Sequence, residues 1–147
     1  MKVNIGYFTK FGNNKNISEK LGELLREKGA EAEVFSVAEK QPASMVESDI
    51  YVFSSPTRMG NPPGKIKRFV KKCNVPAGAG YAVVNSTGGP EQSKVLSGIG
   101  SLCEEKGMKK AAEGVILQIK DMKGPLEAGY EKKLNSLADT LMQFHRE

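Results

Sequence analysis

The sequence predicts an open, parallel α/β sheet of five strands in the order 2-1-3-4-5, with helices on both faces. Two observations carry that prediction. Short apolar strand patterns alternate five times with amphipathic helical patterns over 147 residues, at lengths that suit right-handed crossovers. Polar, turn-rich segments follow the first, third and fourth strands. In such a sheet they meet at one edge, where ligands bind beyond the carboxyl ends of the strands. The alternation leaves no element for a second domain, so one domain over 1–147 is expected.

Each element has its own signal. Lys2 to Phe8 reads as the first strand, with Val3, Ile5 and Tyr7 on one face and Gly6 leaving room on the other, as for a closely packed helix. Ile17, Leu21, Leu24 and Leu25 then recur at helical spacing until Gly29, with Asn13, Asn14 or Asn16 as the candidate cap. Glu33 to Val37 is a short second strand. Ile50 to Ser54 is the third, and its unbroken apolar run predicts burial on both faces. A helix from about 64 to 72 follows. Its Ile66, Phe69 and Val70 lie opposite Lys67, Arg68, Lys71 and Lys72, which marks a solvated charged face. Ala79 to Val84 is the fourth strand and 91–106 the next helix. Residues 113–119 form the fifth strand and 126–145 the last helix, striped by Tyr130, Leu134, Leu137, Leu141 and Phe144.

Composition excludes several classes. The net charge is +5, yet no zinc-finger, aromatic RNA-binding or leucine-zipper pattern accompanies it, so nucleic acid is not the expected partner. No apolar run approaches the roughly 18 residues of a membrane span, and the first residues already read as a strand, not a leader. A cytoplasmic protein is expected. Cys73 and Cys103 fall on apolar helical stripes, where a buried thiol is ordinary. With one histidine, His145, near the last residue, the chain offers no close set of metal ligands.

The three polar loops carry the chemistry. Thr9-Lys10-Phe11-Gly12-Asn13-Asn14 turns directly into a helix. Gly12 permits a tight turn, and successive N–H groups at the helix start suit an anion. The Walker pattern and the Gly-x-Gly-x-x-Gly fingerprint are both absent, which argues against ATP and a nicotinamide site of the usual kind. Ser55-Pro56-Thr57-Arg58-Met59-Gly60 joins hydroxyls, a cation and a thioether, and Pro62-Pro63 stiffens its far end. Such a loop can cover a flat ring. Ser86-Thr87-Gly88-Gly89 follows Asn85, and its paired glycines allow close backbone approach to a ligand.

These motifs resemble those of the short-chain flavodoxins and flavodoxin-like proteins over nearly the whole chain. The first loop is similar to the family's Ser/Thr-x-Thr-Gly-Asn-Thr phosphate loop at its first residue, its Gly-Asn pair and its length. Phe11 and Asn14 stand where that loop has hydroxyls. Ser55-Pro56-Thr57 through Gly60 resembles the loop that covers the flavin ring, with Arg58 and Met59 where an aromatic residue is often found. Thr87-Gly88-Gly89 resembles the third flavin-contacting loop, and Gly124-Pro125-Leu126 the C-terminal pattern.

The resemblance implies a flavodoxin-like fold, non-covalent FMN, and electron transfer with a redox partner protein. Residues 9–14, 55–60 and 86–89 would be the cofactor contacts, with no catalytic residue and no metal. The family's electron carriers are usually acidic; the basic balance here points to an acidic partner. A monomer or weak dimer is expected. Two alternatives stand beside the carrier: a small FMN-dependent NAD(P)H or quinone reductase, and a non-redox module binding another anion or a protein.

Overall fold

Parallel pairing joins every strand to its neighbours in the computed structural model, which describes residues 1–89, 93–121 and 123–145. Strand β1 (Lys2–Tyr7) lies between β2 (Glu31–Ser36) and β3 (Ile50–Pro56), and β4 (Gly80–Thr87) follows β3. The fifth position is shared by two short strands, β5 (Lys109–Lys110) and β6 (Val115–Gln118), which both pair with β4. The order is thus the expected 2-1-3-4-5. The helices are α1 (Asn13–Glu27), α2 (Gly64–Lys72), α3 (Val95–Glu105) and α4 (Tyr130–Leu141).

Period-two alternation in the central strands divides the core into two layers. On one face Ile50, Val52, Ala82 and Val84 pack with Ile17, Leu21 and Leu25 of α1 and Leu134, Leu137 and Leu141 of α4. On the other, Tyr51, Phe53, Tyr81 and Val83 meet Ile66, Phe69 and Val70 of α2 and Val95, Ile99 and Cys103 of α3. The run Ile50–Phe53 is buried on both sides, as its unbroken apolar character requires. Each fully buried aliphatic side chain contributes about 1.5–3 kcal/mol, so the two layers together fix the register.

Several boundaries differ from the sequence reading. Strand β4 continues through Asn85, Ser86 and Thr87, which are buried and pair in register with the end of β3 and with β6. Polar composition marked them as loop, but their side chains bond inside the protein. The fifth strand is interrupted at 111–114, between β5 and β6. Helix α3 starts at Val95; the expected start at Glu91 lies outside the described residues. Helix α4 starts at Tyr130 because Leu126 is still bridged to Ile119 and Gly129 turns left-handed (φ 82°) before the helix. It stops at Leu141, leaving exposed His145 beyond it. The space beside Gly6 holds no helix: the Phe35 ring of β2 fills it, 3.0 Å from where a Cβ would stand.

Candidate functional site

The first loop leaves β1 at Tyr7 and enters α1 through Gly12, whose backbone is left-handed (φ 95°). The residue before α1 is therefore this glycine, and neither Asn13, Asn14 nor Asn16 caps the helix with its side chain. The Thr9 hydroxyl accepts the Gly12 N–H at 2.9 Å and closes the turn. The N–H groups of Asn13, Asn14 and Lys15 form the first helical turn, where no carbonyl of the helix precedes them. Lys15 lies within 4.0 Å of Glu19 one turn on. Lys10 and Phe11 are exposed, with the Lys10 ammonium 5.4 Å from the centre of the Phe11 ring.

The Asn14 side chain has a structural role. Its side chain is buried beneath the loop. Its Nδ2 donates to Ser54 Oγ at 3.0 Å, and its Oδ1 accepts from Ser86 Oγ at 2.7 Å. One amide thus ties the start of α1 to the carboxyl ends of β3 and β4. The residue is 1% exposed, and both of these bonds run into the protein.

A second buried amide organises the other two loops. Asn85 Nδ2 donates to Ser55 O (3.1 Å), Thr57 Oγ1 (2.8 Å) and Ser86 O (3.1 Å), while its Oδ1 accepts from Ser93 Oγ at 2.7 Å. Thr57 Oγ1 in turn donates to Ser86 O at 3.1 Å. Buried polar groups satisfied this fully rigidify their surroundings. Sequence reasoning placed Asn85 in the third loop without giving it a role; the signal was one amide closing an otherwise apolar strand.

Beyond Thr57 the chain makes a two-residue turn. Arg58 and Asn61 exchange backbone hydrogen bonds of 2.8 and 3.0 Å, and Met59 and Gly60 between them both have positive φ, 52° and 81°. That geometry fits a hairpin turn of the primed kind. The Met59 side chain is 93% exposed at its tip. The Gly60 carbonyl accepts the Lys94 N–H at 2.7 Å, which rests the turn on the approach to α3.

A cavity of about 900 Å³ opens between these loops. Its walls include Lys10 and Phe11 of the first loop, Pro56, Thr57 and Arg58 of the second, and Ser86, Thr87 and Gly88 of the third. The other residues singled out in the sequence stand behind or beside the walls. Thr9, Gly12, Asn13 and Asn14 shape the start of α1, Ser55 is buried beneath, and Met59, Gly60 and Gly89 lie at the loop tips. Gly89 donates its N–H to Thr87 Oγ1 at 3.1 Å.

Two further wall segments escaped the sequence reading: Pro63 to Arg68 at the start of α2, and Ile119 to Asp121 after β6. The second is a small hairpin held by the Ile119–Leu126 bridge, a bond from Lys120 N–H to Pro125 O at 3.1 Å, and one from Gly124 N–H to Asp121 O at 3.0 Å. Neither Cys73 nor Cys103 lines this cavity; both are buried in the core layer of α2 and α3. Burial raises both thiols, that of Cys103 to about 12.

The open parallel sheet and the ligand-sized cavity at its carboxyl edge define the class: the protein has the flavodoxin-like fold. Oxidised flavodoxin 1 from Bacillus cereus superposes with a TM-score of 0.83 at 17% identity, covering 99% of each chain. The flavodoxin of Streptococcus pneumoniae TIGR4 gives 0.80 at 20% identity, covering 97% of this chain and 98% of its own. Rubredoxin oxygen:oxidoreductase from Desulfovibrio gigas matches at 0.70 and 14% identity, over 95% of this chain but 35% of that one. No family model matches the sequence, and no curated protein does.

Proposed function

We propose that this chain is a single-domain FMN-binding protein that passes electrons to and from a redox partner. The observation that carries the reading is convergence. Three loops far apart in sequence line one cavity of about 900 Å³, within the usual range for cofactor sites. The residues fit a flavin mononucleotide. Phe8, Phe11, Pro56, Pro63 and Ile119 give the cavity apolar surface for a ring. The glycine-led start of α1 turns amide donors toward a phosphate. Thr57, Ser86 and the backbone near Gly88 offer polar groups for the ring's edge.

When bound, FMN supplies the redox chemistry. The protein's part is to hold it and limit its access to water. Asn85 keeps the second and third loops at a fixed separation through bonds to both. Asn14 holds the phosphate end in place relative to β3 and β4. Met59, exposed on its turn, is the side chain we propose as cover for a ring face.

An acidic partner is part of the proposal, and the charge distribution supports it. The segments 8–14, 54–68, 86–94 and 119–125 contain eight basic residues and two acidic ones, while the whole chain has a net charge of +5. The excess positive charge therefore belongs to the segments that leave the ligand-binding edge, where it steers acidic surfaces. Among the described residues no helix is long and apolar enough to cross a membrane. We assign the protein to the cytoplasm as a monomer or weak dimer.

The deciding experiment is an absorption spectrum of freshly purified protein, followed by titration with FMN. The reading expects a flavin spectrum or stoichiometric uptake. Absence of both overturns it and favours the non-redox module. Rapid bleaching by NADH or NADPH alone, without a reductase, would instead mark the small reductase.

A further inference from the structure

Resting on the FMN reading, we infer that this protein recognises the flavin phosphate through charge, with Lys10 and Lys120 as the neutralising side chains. The first loop has few side-chain donors left for an anion. Phe11 adds no side-chain donor, and the Asn14 amide bonds inward through its Nδ2 to Ser54 and its Oδ1 to Ser86. The Gly12 N–H is taken by Thr9 Oγ1. There remain the Thr9 O–H, the backbone N–H groups of Lys10 and Phe11, and the first-turn amides of α1, all of them neutral. Neutral donors bond a phosphate dianion without cancelling its net charge, and a cationic donor adds a stronger, charge-assisted bond.

Two lysines line the cavity beside this loop. Lys10 belongs to the loop itself. Lys120 belongs to the hairpin after β6, and that hairpin abuts the loop: a Cβ on Gly124 would stand 3.0 Å from Asn13 Oδ1. Lys10, Phe11 and Lys120 all line the same cavity. The base of Lys120 is anchored by its N–H bond to Pro125 O. Among the described residues neither lysine has an ion-pair partner within 4.0 Å, and Asp121 is the only carboxylate on the cavity wall. The two adjacent loops thus supply cations in addition to the neutral donors of the first turn. The resulting selectivity separates FMN from riboflavin, which has the same ring and no phosphate.

The test is titration of flavin fluorescence with FMN and with riboflavin, at about 20 mM and 500 mM salt, where screening differs several-fold. Parent, Lys10→Gln, Lys120→Gln and a control, Lys72→Gln on the exposed side of α2, are compared. FMN affinity of the parent is expected to fall about tenfold or more at high salt, and riboflavin affinity to stay level. At low salt each cavity variant is expected to lose about three- to fivefold for FMN, the scale of one solvent-screened pair, with riboflavin unchanged. Salt-independent FMN binding with parent-like affinity in both cavity variants overturns the inference while leaving the FMN reading intact. Equal losses for riboflavin, or for Lys72→Gln, overturn it too, because they reveal damage to the ring site or a diffuse field. If FMN fails to bind the parent at any salt, the underlying reading falls with it.

Discussion

Both ends of the Asn14 amide are satisfied by serine hydroxyls from two different strands. Replacing Asn14 with Ala strands Ser54 and Ser86 in a buried place, so the expected loss is about 2–4 kcal/mol in urea unfolding. Its neighbour Gly12 acts through the backbone. At φ 95° an L side chain is strained by about 1–2 kcal/mol, and the relaxation available is to unwind the first turn of α1. Gly12→Val is therefore expected to weaken FMN binding by about tenfold; parent-like affinity in a flavin titration would count against the loop assignment. The cysteines give a negative control. With Cys103 held near 12 by burial, native protein at pH 8 should react slowly with a thiol reagent, and both thiols should appear on unfolding. The Cys73→Ala/Cys103→Ala double variant should keep the flavin spectrum. The sequence displayed the residue types here but not their directions. Asn14 in a polar loop looks like a ligand contact, and only the packing of α1 against β3 and β4 turns it inward.

Strands and helices were legible wherever burial alone decides them. The alternation of Ile50, Tyr51, Val52 and Phe53 between two core layers follows from the pattern. What escaped was the end of β4, because Asn85–Thr87 are polar yet extend the ladder under the loops. The hairpin after β6 escaped as well, since its role depends on contacts with a loop over a hundred residues earlier. Two expectations belong to this scale. Gly22 of α1 faces β2 so closely that a Cβ would lie 2.8 Å from Val34 Cγ2. Gly22→Ala improves helix propensity by roughly 1 kcal/mol but overpacks a stiff neighbour at about 1–3 kcal/mol; a net loss in thermal unfolding is expected. The second concerns Glu127, which ties β6 to α4. Its Oε1 meets Lys133 Nζ at 2.7 Å and its Oε2 accepts the Gln118 N–H at 2.8 Å. The Lys133 bond, aided by the Gln118 N–H, lowers its carboxyl against a smaller opposing effect of burial. A lowered folded value means the stabilisation is full above the ordinary glutamate value of about 4.3 and is lost as pH falls through the folded one. The urea midpoint of the parent should thus fall more between about pH 5 and pH 3 than that of Glu127→Gln.

At the scale of the whole molecule, the charge map and the fold separate two tasks. Ion pairs such as Lys28–Asp139 and Lys20–Glu131 join α1 to α4 on the sheet's flank, while Arg58, Lys65 and Arg68 line the cavity. Positive charge near a flavin favours the added electron. Arg58→Gln is expected to lower the potential of the last reduction step of bound FMN by about 10–40 mV at low ionic strength, the equivalent of one surface pair, and by less in high salt. An unchanged potential with normal FMN binding would assign Arg58 to partner docking alone. The sequence conveyed the +5 total; the convergence of its carriers needed the fold. The sheet's outer margins carry another consequence. On one side β5 has two residues and β6 four, parted at 111–114, with Lys109 and Lys110 exposed; on the other, β2 presents Glu31 and Glu33 to solvent. Neither margin offers the long, flat, uncharged row on which a second chain can zip. The expected result is colloidal: concentrated solutions should scatter light as dispersed particles and resist seeding into fibres, so the protein can be abundant without becoming sticky.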